Sequence, residues 1–223
     1  MASSVSAVAF DLDHTLCTSA QDRSRVLARA FERTGVEQFC SVADLSRAAD
    51  ETGDADSDVD FYRRCFRYVG ERAGVEAPYE RLASAFEAQI DPAAVDPLPG
   101  AIEAVEWVTE RYPTALLTDG APDTQRAKLR SLGVADAFDV AVFGDPERGL
   151  KPEPAPFEAM LDALETTPER TLYVGDDPVA DVHGAARVGM PSAWVPVGDD
   201  PSEPPAEPTH RLETLGALPT LLE

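Results

Sequence analysis

The chain has 223 residues, 43% of them hydrophobic, which suffices for one large domain or for a core with a smaller insertion and argues against general disorder. It contains no apolar run of about eighteen residues, the length a membrane-spanning helix needs. Its net charge of −22 makes nucleic acid and anionic lipid unfavourable partners.

The N-terminus, MASSVSAVAF, lacks the basic region and long apolar stretch of a secretion signal, so a cytoplasmic location is expected. Val5–Phe10 is a short apolar run that reads as a first buried strand. The rhythm then breaks. From Thr18 to Pro97 there is no convincing strand, but amphipathic helical patterns over Gln21–Thr34, Val59–Ala73 and Tyr79–Gln89. The acidic stretch Asp50–Asp60 reads as a loop and the proline-containing run Asp91–Gly100 as a linker. About eighty residues exceed any simple crossover, so 18–97 is expected to be an inserted helical subdomain. The three cysteines (Cys17, Cys40 and Cys65) are odd in number and without metal-type spacing, which suits packed, reduced thiols.

Strands and helices then alternate. Ala101–Arg111 reads as a helix, Thr114–Leu117 as a strand, Pro122–Leu132 as a helix and Val140–Phe143 as a strand. Pro154–Glu165, Thr171–Val174, Val179–Val188 and Ser192–Val195 continue as helix, strand, helix and strand. Gly198–Pro208 reads as an exposed loop, and Leu212–Leu222 as a closing strand or helix. This alternation predicts an α/β fold with a doubly wound parallel sheet, formed by 1–17 and 98–223.

In such a sheet ligands bind beyond the carboxyl ends of the strands, and four strands lead into reactive residues there. The first runs into Asp11-Leu12-Asp13-His14-Thr15. Two crowded carboxylates raise each other's pKa unless a cation intervenes, and Mg²⁺ is the natural partner of hard oxygen ligands. Taken singly, the pair fits a cap or turn equally well. The second strand ends in Thr118-Asp119-Gly120 before a helix, a hydroxyl and backbone N–H groups that suit an anion or merely cap the helix.

After the third strand comes Gly149-Leu150-Lys151-Pro152. Lone lysines are usually surface residues. Here, however, 19 residues are basic and only Lys128 and Lys151 are lysine, so each survivor invites a reason. A point charge at Lys151 suits a phosphoryl group and a neighbouring carboxylate. High acidity with scarce lysine also resembles the proteins of extreme halophiles, whose surface repulsion is screened over roughly 3 Å in molar salt. The fourth strand ends in Gly175-Asp176-Asp177, with Asp181 four residues further on. Asp176 would lie beside the first pair, while Asp177 and Asp181 would cap the next helix or orient the metal ligands and Lys151.

The order D-x-D-x-T, T-D-G, K-P and G-D-x-x-x-x-D resembles the four motifs of the haloacid dehalogenase-like superfamily along the whole chain. The insertion is similar to the helical (C1-type) cap of its phosphoglycolate phosphatase-like branch. The resemblance implies a Rossmann-like core and a Mg²⁺-dependent phosphatase with a small-molecule phosphate ester as substrate. Asp11 would attack phosphorus to give an aspartyl-phosphate, and Asp13 would serve as general acid and then base. Asp11, the backbone carbonyl of Asp13 and Asp176 would hold the metal. Thr118, the N–H groups of Asp119 and Gly120, and Lys151 would bind the phosphoryl oxygens.

His14 and Asp119 depart from the commonest pattern, which has glycine and asparagine there. His14 is expected to be a turn residue, and Asp119 is expected to be tolerated because its backbone matters. Within the superfamily, Asp13 argues against dehalogenation, since a halide leaves without a proton. The insertion has no lysine, which excludes the Schiff base of phosphonatases. A phosphosugar mutase and a non-catalytic binding protein of the same fold are the alternatives. Arg63, Arg64 and Arg67 stand outside the expected site, and no residue pattern selects a particular substrate or an oligomeric state.

Overall fold

The computed structural model describes residues 5–52, 55, 57–145, 147, 149–197 and 203–223, without the side chain of Asp50. In chain order come β1 (Ala7–Phe10), β2 (Cys17–Ser19), α1 (Arg23–Thr34), α2 (Val42–Thr52), α3 (Asp58–Ala73) and α4 (Tyr79–Glu87). There follow β3 (Val95–Pro97), α5 (Ala101–Thr109), β4 (Thr114–Thr118), α6 (Pro122–Leu132), β5 (Val140–Phe143), α7 (Pro154–Ala163) and β6 (Thr171–Gly175). A π-helical turn (Pro178–His183), α8 (Gly184–Val188), β7 (Ser192–Trp194), β8 (His210–Arg211) and α9 (Leu218–Leu222) complete the chain.

The backbone packs as two units, Met1–Ser19 with Pro92–Glu223, and Ala20–Asp91. In the first, six parallel strands lie in the order β5-β4-β1-β6-β7-β8. The chain winds outward from β1 through β4 to β5, then returns to the other side of β1 for β6. The strand order therefore reverses around β1, whose carboxyl end is the switch point where such sheets bind ligands.

The strands read as unbroken apolar runs because both faces are covered. Val8 and Phe10 of β1, Leu116 of β4, and Leu172 and Val174 of β6 enter one core with Val105, Val108 and Leu129. The alternate residues Ala9, Ala115, Leu117 and Tyr173 enter the opposite core, with Phe157 and Met160 of α7. The α/β doubly wound sheet expected from the alternation is thus what forms.

Several details differ from the sequence reading. β2 and β3 pair antiparallel as a separate two-stranded ribbon, where no strand was expected. At three residues each they are too short to show alternation. Helix α2 was not anticipated, and it extends to Thr52 into the supposed acidic loop, whose residues 53, 54 and 56 lie outside the described set. Residues 198–202 of the expected C-terminal loop do so too. Beyond them β8 adds a sixth strand beside β7.

The second unit consists of α1–α4 around its own apolar cluster, including Leu27, Phe31, Phe66, Leu82 and Phe86. Phe66 meets Phe31 and Phe86 edge-on, with ring centroids 6.0 and 5.8 Å apart. Asp22 caps α1 by accepting from the N–H groups of Ser24 and Arg25. Among the described residues no helix is long and apolar enough to cross a membrane.

Candidate active site

β1 carries the chain to the switch point and stops there. The Asp11 N–H donates to the Val174 carbonyl of β6 at 2.9 Å, and Asp11 is buried. The backbone then turns at His14, which sits at φ 63°, a conformation that favours glycine. This explains why glycine suits the position. His14 is exposed, and its N–H closes the turn on the Cys17 carbonyl at 2.8 Å. Thr15, fully buried, donates its hydroxyl to Asp176 Oδ1 at 3.0 Å and so ties the end of β1 to the end of β6.

The loop after β5 brings Lys151 into the same place. Its Nζ donates to Asp11 Oδ1 at 2.6 Å and to Asp181 Oδ1 at 2.7 Å, with the Tyr173 hydroxyl 3.3 Å away. The Lys151 side chain is only 4% exposed. Burial alone would favour loss of its proton, but Asp11 and Asp181 outweigh that and hold it well above the usual lysine value. It remains an ammonium. The Lys151 N–H donates to Asp119 Oδ1 at 3.0 Å, so the Asp119 side chain has a use of its own, one that an asparagine oxygen also serves.

Asp11, Asp176 and Asp181 each offer a carboxylate oxygen, all within 4.8 Å of one another. Burial and the mutual repulsion of these acids raise Asp176 from 3.8 to about 8. Burial raises Asp11 to about 7 against the opposing pull of Lys151. One lysine does not neutralise three carboxylates, and an all-oxygen donor set with surplus negative charge fits a hard divalent cation such as Mg²⁺. Asp181 is nevertheless engaged on both oxygens, Oδ1 by Lys151 and Oδ2 by the Asp177 N–H at 2.9 Å. The Asp177 carboxylate is not one of these three; it caps the π-helical turn, accepting from the N–H groups of Val179 and Ala180 at 2.7 Å each. The Trp194 indole anchors this loop by donating to the Asp176 carbonyl at 2.7 Å.

Asp13 does not join the carboxylate cluster. Its side chain, 43% exposed, accepts from Lys128 and Gln125 of α6. Thr118 ends β4, buried, and its Oγ1 accepts from Gln125 Nε2 at 2.6 Å. Neither Lys128 nor Gln125 was singled out for a role by sequence. The signal available for Lys128 was the scarcity of lysine, since both lysines contact an aspartate of the D-x-D pair. Arg63 and Arg64 pair with Asp60 of their own helix, at 2.9 and 2.7 Å.

Residues 5–189 match the family model of the haloacid dehalogenase-like hydrolases. The phosphoserine phosphatase of Thermus thermophilus is 37% identical over 157 residues, 70% of this chain and 62% of that one. The phosphoglycolate phosphatase of Cereibacter sphaeroides is 36% identical over 189 residues, 82% of this chain and 81% of that one. This chain thus spans less than two thirds of the first relative and about four fifths of the second. A HAD phosphatase from Thermococcus onnurineus superposes with a TM-score of 0.70 at 25% identity, covering 98% of both chains. With a family match over most of its length and a full-length structural likeness, the chain belongs to the haloacid dehalogenase-like hydrolase family.

Proposed function

We propose that this hydrolase is a Mg²⁺-dependent phosphatase that cleaves a small-molecule phosphate monoester through an aspartyl-phosphate on Asp11. The observation that carries the reading is the buried Asp11 carboxylate, held by Lys151 at 2.6 Å within a triad of acids and two residues from the half-exposed Asp13. The names of the relatives support phosphate esters as the substrate class.

Lys151 orients one oxygen of Asp11, leaving the other to attack phosphorus in line with the departing oxygen. As the phosphorus–oxygen bond breaks, Asp13 passes its proton to the leaving alkoxide. The resulting Asp13 carboxylate then takes a proton from water, whose oxygen attacks the phosphorus and frees Asp11 and inorganic phosphate. Thr118, the backbone N–H groups of Asp119 and Gly120, and the Lys151 ammonium are assigned to the phosphoryl oxygens. Asp11 and Asp176 would hold Mg²⁺ together with the Asp13 carbonyl, while Asp181 orients Lys151. When bound, the ion offsets the repulsion between an anionic nucleophile and an anionic substrate. Asp13 separates this chemistry from dehalogenation, because an alkoxide needs a proton to leave and a halide does not. The helical unit is assigned the part of a substrate-selecting cap.

Asp11→Asn should abolish Mg²⁺-dependent hydrolysis of p-nitrophenyl phosphate while its circular dichroism matches the parent. Retained turnover would rule out Asp11 as nucleophile.

A further inference from the structure

Asp13 is gripped by one face of α6. Lys128 Nζ donates to both of its carboxylate oxygens, at 2.6 and 2.7 Å. Gln125 Nε2 donates to Oδ2 at 2.7 Å and also to Thr118 Oγ1 at 2.6 Å. Gln125 and Lys128 are three residues apart, so both side chains leave the helix on the same side.

In its carboxylate form, the state from which it takes the proton of water, Asp13 only accepts hydrogen bonds, so it faces the NH₂ end of the Gln125 amide rather than its carbonyl. Both N–H groups of that amide are then committed to site residues. Its Oε1 is buried and has no hydrogen-bond partner among the described residues. An unsatisfied buried carbonyl is costly, so the amide is oriented by its two acceptors and not by its own comfort. The loop makes room for this arrangement: a Cβ on Gly120 would lie 2.3 Å from Gln125 Nε2 and 2.4 Å from its Cδ. Because Thr118 Oγ1 accepts from Gln125, its own O–H proton is left to donate elsewhere.

We propose that Lys128 and Gln125 are positioning residues for the general acid–base. Together they hold the Asp13 carboxylate in one orientation toward the leaving oxygen, and Gln125 also sets the Thr118 hydroxyl as a donor. Without them a side chain 43% exposed is free to rotate into water. This rests on the reading of Asp11 as nucleophile and Asp13 as its acid.

The test compares kcat/KM for two esters in Mg²⁺. The leaving group of p-nitrophenyl phosphate needs little protonation, whereas that of glycerol 2-phosphate needs a proton as the bond breaks. Lys128→Met should lower kcat/KM for glycerol 2-phosphate by about tenfold or more, a part of what general acid catalysis supplies. The value for p-nitrophenyl phosphate should stay nearly unchanged. Gln125→Leu, which keeps volume but removes the donors, should lower kcat/KM for both esters because it also releases Thr118, yet for glycerol 2-phosphate several-fold more than for p-nitrophenyl phosphate, and it carries the test if Lys128→Met does not fold. Lys128→Arg should recover part of the lost activity. In an Asp13→Asn background, adding Lys128→Met should change neither ester further. Equal losses on both esters, no loss on either, or additive losses in the double variant would overturn the proposal. An inactive Asp11→Asn beside equal losses in Lys128→Met defeats only this inference. An active Asp11→Asn defeats the reading beneath it.

Discussion

Three carboxylates around one ammonium make the site unstable in itself and receptive to a cation. Asp176 shows the sign of the effect. Its folded-state pKa is raised to about 8 from 3.8, chiefly by burial and then by Asp181 and Asp11. The folded protein therefore binds that proton more tightly than the unfolded chain, so the stabilisation is present below 3.8 and lost as pH rises through about 8. In chelator, Asp176→Asn should raise the melting temperature relative to the parent, by an amount that grows as pH is taken upward across this window. Adding Mg²⁺ should stabilise the parent at neutral pH and the variant far less, because the ion binds the folded site only. Differential scanning calorimetry with and without Mg²⁺ reads both effects. A parent protein indifferent to Mg²⁺ would contradict the metal assignment.

At the scale of elements, the site depends on how closely loops from neighbouring strands approach. Gly144, just after β5, is the tightest case: a Cβ there would lie 2.0 Å from the Asp119 carbonyl oxygen. Backbone cannot step aside as a flexible side chain can. Gly144→Ala should therefore cost about 1–3 kcal/mol in urea unfolding, and should slow turnover because Asp119 accepts from Lys151. The helices and long strands were legible because their periodicity or unbroken apolar character runs over enough residues to register. Helix α2 went unread although Ser41 and Asp44 form a capping box, each accepting the other's backbone N–H at 3.2 and 2.8 Å. Its apolar face is thin, with Leu45 and Ala48 its buried hydrophobic residues. The pairing of β2 with β3 joins segments far apart in sequence, which no local pattern announces.

For the whole molecule the governing quantity is a net charge of −22. Like charges spread over one chain repel more in the compact state than in the expanded one. Added KCl should raise the melting temperature at pH 7 steadily up to about 1 M, where the screening length falls to roughly 3 Å. A melting temperature that stays flat across that range would show that the surface charge does not destabilise the fold. The same charge leaves few cations for the chemistry, so the placement of two lysines matters more here than it would in a lysine-rich protein.

Sequence alone determined the strand ends, their order and the residues that follow them, because each motif is a local matter of a strand stopping and a loop beginning. From those ends came the α/β sheet, the family likeness, and the prominence given to Asp11, Asp176 and Lys151. It also named Asp181, but left open whether that side chain capped a helix or served Lys151. Only the tertiary structure decided this, across a separation of 30 residues, and only it placed Lys128 and Gln125 on Asp13, 115 and 112 residues away. The physical reason is that a strand's end is encoded by its immediate neighbours. Which side of a crossover helix meets that end depends on how the helix rolls as it packs on the sheet, and that is settled by the core as a whole.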